Sequence, residues 1–139
     1  MHSKTVPPLS LIVGSSLTAV VACEFDWAFD FTGGFNIVAE SSHWRLRREH
    51  RVIITDEDHG QIFGHKAPVD AGAVVRGQLQ EAAITGAELS IVSDLLPSFA
   101  GGCVLELLVS SSGYENWHVY GHDSSHTCAT GGGEVCQLG

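Results

Sequence analysis

The sequence predicts a mainly β protein of the α+β class, in which two similar antiparallel meanders pack as a sandwich, roll or barrel. One connecting helix is predicted near residues 70–83. Three observations favour this class. Aromatic and polar residues alternate along FDWAFDF at 25–31, as side chains do on the two faces of a half-buried strand. Sixteen glycines supply many turns, which favours short strands. Similar segments also occur in both halves of the chain.

The aromatic stretch at 25–31 is expected to be the main core strand. Its apolar face is predicted to hold Phe25, Trp27, Phe29 and Phe31, while the intervening Asp26 and Asp30 lie on the solvent face. The sequence TGG at 32–34 then predicts a turn. Residues 35–40 return as the partner strand, so the two segments form a hairpin.

The N-terminal segment resembles a lipoprotein signal sequence. Lys4 precedes an apolar run at 9–22, and VVAC at 20–23 is similar to a cleavage site. Two prolines, at 7 and 8, and GSS at 14–16 interrupt that pattern. We therefore expect two ordinary strands here, at 9–13 and 17–24. The apolar run is too short to cross a membrane.

The chain is predicted to be a single domain, 1–139, with an internal pseudo-repeat at about 17–55 and 84–121. The matching segments are 18–24 with 85–92, FTGG at 31–34 with FAGG at 99–102, 35–41 with 103–109, and WRLR at 44–47 with WHVY at 117–120. Two such meanders would bury their apolar faces against each other. Chance similarity between two hairpins is the alternative, since Gly-Gly turns are common.

The remaining elements are predicted from local signals. Residues 52–55 are a short strand, and residues 56–65 are an irregular polar loop. Asp70 is placed to cap the helix predicted at 70–83, although Gly77 weakens that helix. Two strands at 126–130 and 134–138 around GGG at 131–133 predict a final hairpin.

Composition limits the classes of function. Sixteen acidic residues against seven basic residues give a net charge of −9, which disfavours nucleic acid and anionic membranes as partners. The charge is compatible with a basic protein partner. Four cysteines without a CxxC pair are expected to be free thiols in a reducing cytoplasm. We expect a cytoplasmic monomer or homodimer.

A polar cluster dominates the central loop. Its members are Asp56, Glu57, Asp58, His59, Gln61 and His65. Carboxylates beside histidine suit acid–base chemistry or metal binding. The start resembles a calcium loop, but Ala67 stands where such a loop ends in Glu. The alternatives are a functional surface and a solvated loop whose side chains accept bonds from its own backbone.

A second cluster comprises His118, His122, His126 and Cys128. Gly121 and the polar residues after it disfavour a helix, so His118 and His126 are predicted to lie across a hairpin. This could hold zinc, but no standard zinc spacing is present. We therefore predict exposed histidines and no metal. No nucleophile or phosphate-loop motif is present either, and no catalytic residue or cofactor is predicted.

Three motifs carry a family resemblance. They are HGQIFG at 59–64, APVDA at 67–71 before the helix, and GYENW at 113–117 followed by Gly121. Together they resemble an uncharacterised bacterial family of small domains of unknown function, over most of the chain. The tail departs from that pattern at His122 and Cys136. The resemblance assigns no catalytic residues. Some small acidic families of this kind look like immunity proteins of polymorphic toxin systems.

The predicted function is that of a non-enzymatic acidic binding protein, such as an immunity protein that masks a basic toxin. Its predicted surface combines the cluster at 56–65 with Asp26, Asp30, Glu115 and Trp117. The alternative is a small-molecule-binding barrel or small enzyme, with a pocket lined by Trp27, Trp44, Trp117 and Tyr120 and with Asp58 or His59 for acid–base chemistry. A third hypothesis is metal binding by His118, His122 and His126.

Overall fold

The computed structural model describes residues 7–40, 43–121, 126–129 and 134–138. In this part of the chain eleven strands form two antiparallel sheets, as the predicted mainly β class requires. The six-stranded sheet contains, in spatial order, β1 (Leu17–Ala22), β2 (Asp26–Phe31), β3 (Asn36–Glu40), β9 (Trp117–Tyr120), β10 (His126–Ala129) and β11 (Val135–Leu138). The five-stranded sheet contains β5 (Arg51–Thr55), β4 (Trp44–Arg48), β8 (Cys103–Leu107), β7 (Leu95–Phe99) and β6 (Ile84–Leu89). Both sheets end in edge strands, so the fold is a sandwich and not a closed barrel.

One apolar core lies between the sheets. Phe29 of β2 meets Trp44 of β4 edge to face, with ring centroids 5.4 Å apart. Phe31 of β2 stacks on Phe99 of β7 at 6.3 Å. These contacts join the two sheets directly, because alternate residues of each strand point to the same side. Trp44 and Trp117 are fully buried in this core.

The single described α-helix, α1 (Ala71–Leu79), packs against β1 and β5, which are edge strands of different sheets. The Asp70 carboxylate accepts a bond from the Ala73 N–H and caps the helix as predicted. Gly72 lets the helix pack closely on β1, since a Cβ there would lie 3.3 Å from Val20 Cγ1 and the Val20 side chain would have to shift by a few tenths of an ångström. The helix ends earlier than the predicted residue 83, because Gln80 leaves the helical backbone conformation.

The N-terminal apolar segment forms a different element from the one predicted. Residues Pro7–Ile12 form a 3₁₀ helix, so the predicted strand at 9–13 is wrong. Leu9 and Ile12 are both fully buried. Their separation of three residues places them on one side of a helix with three residues per turn. The next predicted strand, 17–24, is present as β1. Lys4 of the signal-like pattern lies outside the described residues.

The aromatic strand holds three of its four predicted core residues toward the interior. Phe29 and Phe31 are buried and Trp27 is half-buried. The prediction for Phe25 is wrong, because 83% of its surface is exposed. Strand β2 begins only at Asp26, and Phe25 belongs to the turn before it. Alternation along a sequence does not indicate where a strand starts.

In each half of the chain, the strand that follows the three-stranded meander belongs to the opposite sheet. Strand β4 leaves the first meander and pairs with β8, whereas β9 leaves the second and pairs with β3. Ile37 faces Val119 in one pair, and Leu105 faces Leu46 in the other. In the alignment of the two halves given above, Ile37 corresponds to Leu105 and Leu46 corresponds to Val119. The two strand pairs therefore have equivalent registers. A duplicated origin of the chain stays a prediction.

The last strands and the central loop follow the predicted pattern. Strands β10 and β11 pair as the final hairpin. The loop begins with a 3₁₀ turn at Asp56–Asp58 and then has no regular structure through residue 65. None of the described helices has the length and apolar character that crossing a membrane requires.

Candidate functional site

The outer side of the six-stranded sheet carries a group of carboxylates that we call the acidic face: Asp26, Asp30, Glu40 and Glu115. Asp26 of β2 lies opposite Glu40 of β3. The Glu40 N–H donates to the Asn116 carbonyl over 2.7 Å, which brings Glu115 beside it. None of the six strands contains Lys or Arg. The carboxylates on this sheet therefore have no Lys or Arg neighbour within its own strands.

The loop before β9 is fixed by a buried asparagine. Asn116 has no exposed surface, and its Oδ1 accepts the N–H groups of Ser110 and Ser111 at 3.0 and 3.1 Å. Its Nδ2 donates to the Tyr114 carbonyl over 3.2 Å. These bonds hold the backbone on both sides of Glu115, so the point from which its side chain projects is set by the fold.

His118 lies on the outer side of the sheet and yet is 2% exposed. Its ring stacks against those of Tyr120 and His126, with centroids 5.6 and 5.0 Å away. Its Nδ1 shares a hydrogen bond with His126 Nε2 over 2.8 Å. Its Nε2 lies 3.3 Å from an oxygen of Glu115 and 3.7 Å from one of Glu40.

The hairpin predicted around these histidines is present, with two differences. His118 pairs with Cys128 in the ladder and His126 with Tyr120, so the two imidazoles meet diagonally. The prediction of exposed histidines is wrong for His118, because the neighbouring rings and carboxylates cover it. His122 lies outside the described residues.

The environment shifts the pKa values of three side chains around His118. Burial, and then the charge of His118, lowers the pKa of His126. Burial raises the pKa of Cys128, and nearby Glu115 adds to that effect. Burial and the carboxylates of Glu40 and Glu115 likewise raise the pKa of Tyr120. At neutral pH these pKa directions favour the neutral forms of the His126 imidazole, the Cys128 thiol and the Tyr120 phenol.

The carboxylates at the start of the central loop form hydrogen bonds within the protein. Asp56 Oδ2 contacts His43 Nδ1 at 2.8 Å, and this hydrogen bond raises the pKa of His43. Asp58 Oδ2 accepts the Thr55 N–H over 2.9 Å and completes a capping box. Both carboxylates therefore satisfy local donors, which is the role expected of a polar loop that stabilises itself.

His59 has a structural role as well. Its Nδ1 accepts the N–H of Ala71 at the start of α1, over 3.1 Å, and its ring packs edge-on against Trp27. Glu57, Gln61 and His65 are exposed. In the described part of the chain, the groups of three or more metal-ligating side chains all include His118, so none lies in this loop.

A shallow groove connects the loop with the acidic face. It has a volume of about 390 Å³ and is lined in part by Asp26, Trp27, His43 and Asp56. Through it, the two predicted acidic segments, which are 30 residues apart in sequence (26 to 56), meet on one surface. The structure thus brings Asp26 and Asp56 together at one border. Glu115 lies near Glu40 on the acidic face, whereas Asp30 lies at the other end of β2, opposite Asn36.

The predicted aromatic residues do not share a surface. Trp117 is fully buried, and its Nε1 donates to the Ser93 carbonyl over 2.8 Å, so it does not belong to the predicted binding surface. Trp44 is also in the core, whereas Tyr120 lies on the outer side of the sheet. Trp27, Trp44, Trp117 and Tyr120 therefore do not line a common pocket.

Sequence reasoning missed two features of this site. Glu40 could have been found from the turn at 32–34, because that turn sets Asp26 opposite Glu40. The central position of His118 depends on the pairing of β3 with β9, whose sequences are about 80 residues apart. No local pattern contains that information.

Comparisons with protein families, with curated proteins and with solved structures give no match for this chain.

Proposed function

We propose that this chain is a non-enzymatic binding protein that holds a basic partner protein on its acidic face. The biological role that we propose is that of an immunity protein masking a toxin. The immunity role rests on the resemblance of the three sequence motifs, whereas the binding surface rests on geometry. The observation that carries the proposal is the placement of four carboxylates on strands and a loop without any Lys or Arg in the surrounding sheet.

The charges of the molecule are segregated, which supports a directed surface. Four of the seven basic residues, Arg45, Arg47, Arg48 and Arg51, lie on β4 and β5 of the other sheet. A net negative charge that served solubility alone would not need such a distribution. The negative electrostatic potential of the acidic face and the positive potential of the arginine-rich strands orient an approaching basic protein and increase its association rate.

Exposed aromatic residues stand next to the carboxylates. Phe25 precedes Asp26 and is 83% exposed, and Tyr114 precedes Glu115 and is 73% exposed. Aromatic side chains are enriched at the centres of protein interfaces. Charged groups flanked by such rings supply both steering and apolar contact, which suits a protein partner better than a small ion.

The chemistry of the site also favours binding over catalysis. Cys128 is the thiol nearest the imidazole pair, but burial raises its pKa. Catalytic cysteines instead have lowered pKa values, because the thiolate is the nucleophile. His59 and Asp58, the acid–base candidates of the alternative hypothesis, already accept bonds from Ala71 and Thr55.

A direct test measures whether the product of the neighbouring gene, which the proposal expects to be a basic protein, binds this chain. We expect association that slows as salt increases. The double variant Asp26→Asn/Asp30→Asn should weaken binding at least tenfold. The matched control Glu81→Gln/Glu88→Gln changes the net charge equally at exposed positions outside the acidic face. Absence of binding, or equal losses in both variants, would contradict the proposal.

A further inference from the structure

The Nε2 atom of His118 is a buried polar atom without a hydrogen bond, one of two such side-chain atoms in the described part of the chain. A buried nitrogen without a hydrogen-bond partner is energetically unfavourable. This one faces two carboxylate oxygens, at 3.3 Å in Glu115 and 3.7 Å in Glu40. The arrangement therefore needs a positive charge or a proton between the three atoms.

The hydrogen bond at the other ring nitrogen, Nδ1, determines which nitrogen of the His118 ring carries a proton. His118 Nδ1 and His126 Nε2 are 2.8 Å apart and share one proton. When Nδ1 donates, Nε2 of a neutral His118 presents a bare lone pair toward the carboxylates. That ring state repels the two carboxylates, but it is the state in which an imidazole binds a metal. Ligating histidines commonly donate their other N–H to a neighbouring acceptor.

The distances match the edges of a coordination polyhedron. Zinc bonds to nitrogen and oxygen are about 2.0–2.1 Å long, so two ligand atoms of a tetrahedral site lie about 3.3 Å apart. The separations of 3.3 and 3.7 Å are close to that value. All three ligand atoms lie within 4.8 Å of one another. A metal ion therefore fits with only small side-chain movements.

We propose that His118 Nε2, Glu40 and Glu115 form a binding site for a divalent transition-metal ion, with Zn²⁺ as the favoured occupant. Water would complete a fourth position, since the two carboxylates are about half exposed. One neutral imidazole and two carboxylates balance the charge of the ion. His126 is the positioning residue that orients the His118 ring. This site goes beyond the proposed partner binding, which depends on Asp26 and Asp30 as well.

The alternative ligand set, which contains the Cys128 thiol, is a poorer metal site. His118, His126 and Cys128 also bring ligand atoms within 4.8 Å. However, the 2.8 Å separation of the two imidazole nitrogens is that of a hydrogen bond and is shorter than a tetrahedral edge. The raised pKa of Cys128 also opposes the thiolate that a metal requires.

The test uses tag-free protein stripped with a chelator and titrated calorimetrically with ZnCl₂. We expect one ion per chain with micromolar or tighter affinity. Glu115→Gln and Glu40→Gln should each weaken binding at least tenfold, and His118→Ala should abolish it. The glutamine variants change half-exposed side chains, so they test the site even if His118→Ala does not fold. His65→Ala, at an exposed histidine outside the cluster, is the control and should bind normally.

Cobalt distinguishes the two ligand sets. Co²⁺ bound by nitrogen and oxygen should give visible d–d bands without the thiolate-to-cobalt charge-transfer band in the near ultraviolet. Cys128→Ser should leave that spectrum and the Zn²⁺ affinity unchanged. Failure of the wild-type protein to bind Zn²⁺ would overturn the proposal, as would loss of binding in Cys128→Ser with retention in Glu115→Gln. Neither result would affect the test with Asp26→Asn/Asp30→Asn, which concerns the partner protein.

Discussion

The indole N–H of Trp117 donates to the backbone carbonyl of Ser93 over 2.8 Å, deep between the sheets. Trp44 has the equivalent position on the other crossing strand and is equally buried. Its Nε1 has no hydrogen bond within the described structure. The two tryptophans therefore contribute similar apolar volume but differ by one buried hydrogen bond.

This difference predicts unequal effects of the same substitution. Trp117→Phe leaves the Ser93 carbonyl unpaired, whereas Trp44→Phe removes a donor that has no partner. We expect Trp117→Phe to lower the free energy of unfolding by at least about 1 kcal/mol more than Trp44→Phe, since an unsatisfied buried group costs about 1–3 kcal/mol. Urea denaturation followed by far-ultraviolet circular dichroism measures both. Equal losses would show that the bond adds nothing to stability.

The turn between β4 and β5 contains a strained residue. Glu49 has a φ of 54°, and it is the first residue of a two-residue hairpin turn between Arg48 and Arg51. The following His50 does not share the positive φ. This is the arrangement of a type II′ turn, which favours glycine at the first position.

Glu49→Gly should therefore stabilise the protein by about 1 kcal/mol, because a left-handed conformation costs a residue with a Cβ about 1–2 kcal/mol. Glu49→Ala is the matched control, since it removes the same charge and keeps the strain. Thermal unfolding of the two variants separates the backbone effect from the charge effect. Equal stabilities of the two variants would contradict the prediction, because both variants lack the charge and only Glu49→Gly relieves the backbone strain.

The pair formed by His43 and Asp56 predicts a dependence on pH. The hydrogen bond to Asp56 raises the pKa of His43 above its value of about 6.5 in an unfolded chain. The folded state thus binds the proton more tightly. The contribution to stability is complete below pH 6.5 and is lost as the pH rises through the folded pKa of His43. It should be below about 1 kcal/mol, because the His43 side chain is mostly exposed.

NMR titration of the His43 ring protons measures this pKa directly. Asp56→Asn should lower the pKa of His43 substantially, whereas Glu57→Gln should lower it only slightly. The reason is that the direct bond to Asp56 is the largest cause and Glu57 acts through space alone. If the two variants lowered the pKa of His43 equally, the contact at 2.8 Å would not be the source of the shift.

Local features of this fold were predictable, and features that join distant segments were not. The hairpin around the turn at 32–34 and the Asp70 cap depend on a few adjacent residues, and both are present. Leu9 and Ile12 fit either an apolar strand or a 3₁₀ helix, because a short apolar run does not determine the period. Phe25 alternates correctly but precedes its strand.

The candidate site shows the same limit. Asp26, Asp30 and Glu115 were recognised as acidic surface residues, yet nothing near Glu115 in sequence indicates that it meets Glu40 and His118. That meeting requires β9 to cross to the sheet of β3 in one particular register. A shift of one residue would turn His118 into the core and Trp117 outward. Packing of the whole sandwich therefore determines the site.

The basic side of the molecule supplies the last prediction. Glu106 on β8 is 7% exposed, and its two oxygens contact the Nε atoms of Arg45 and Arg47 on β4. The negative charge of Glu106 thus offsets part of the positive charge of the arginines on β4 and β5. Glu106→Gln keeps the shape of the side chain but leaves both guanidinium groups without their partner charge.

We expect Glu106→Gln to lower the free energy of unfolding by about 1–2 kcal/mol, since hydrogen bonds to charged groups are worth about 1.5–3 kcal/mol and the arginines are partly exposed. Glu88→Gln on β6 removes the same charge from an exposed position and should change stability by less than about 0.5 kcal/mol. Repeating the urea denaturation in 1 M salt should narrow the gap between the variants, because salt screens the uncompensated arginines. A gap that did not respond to salt would assign the loss to packing around Glu106 and not to its charge.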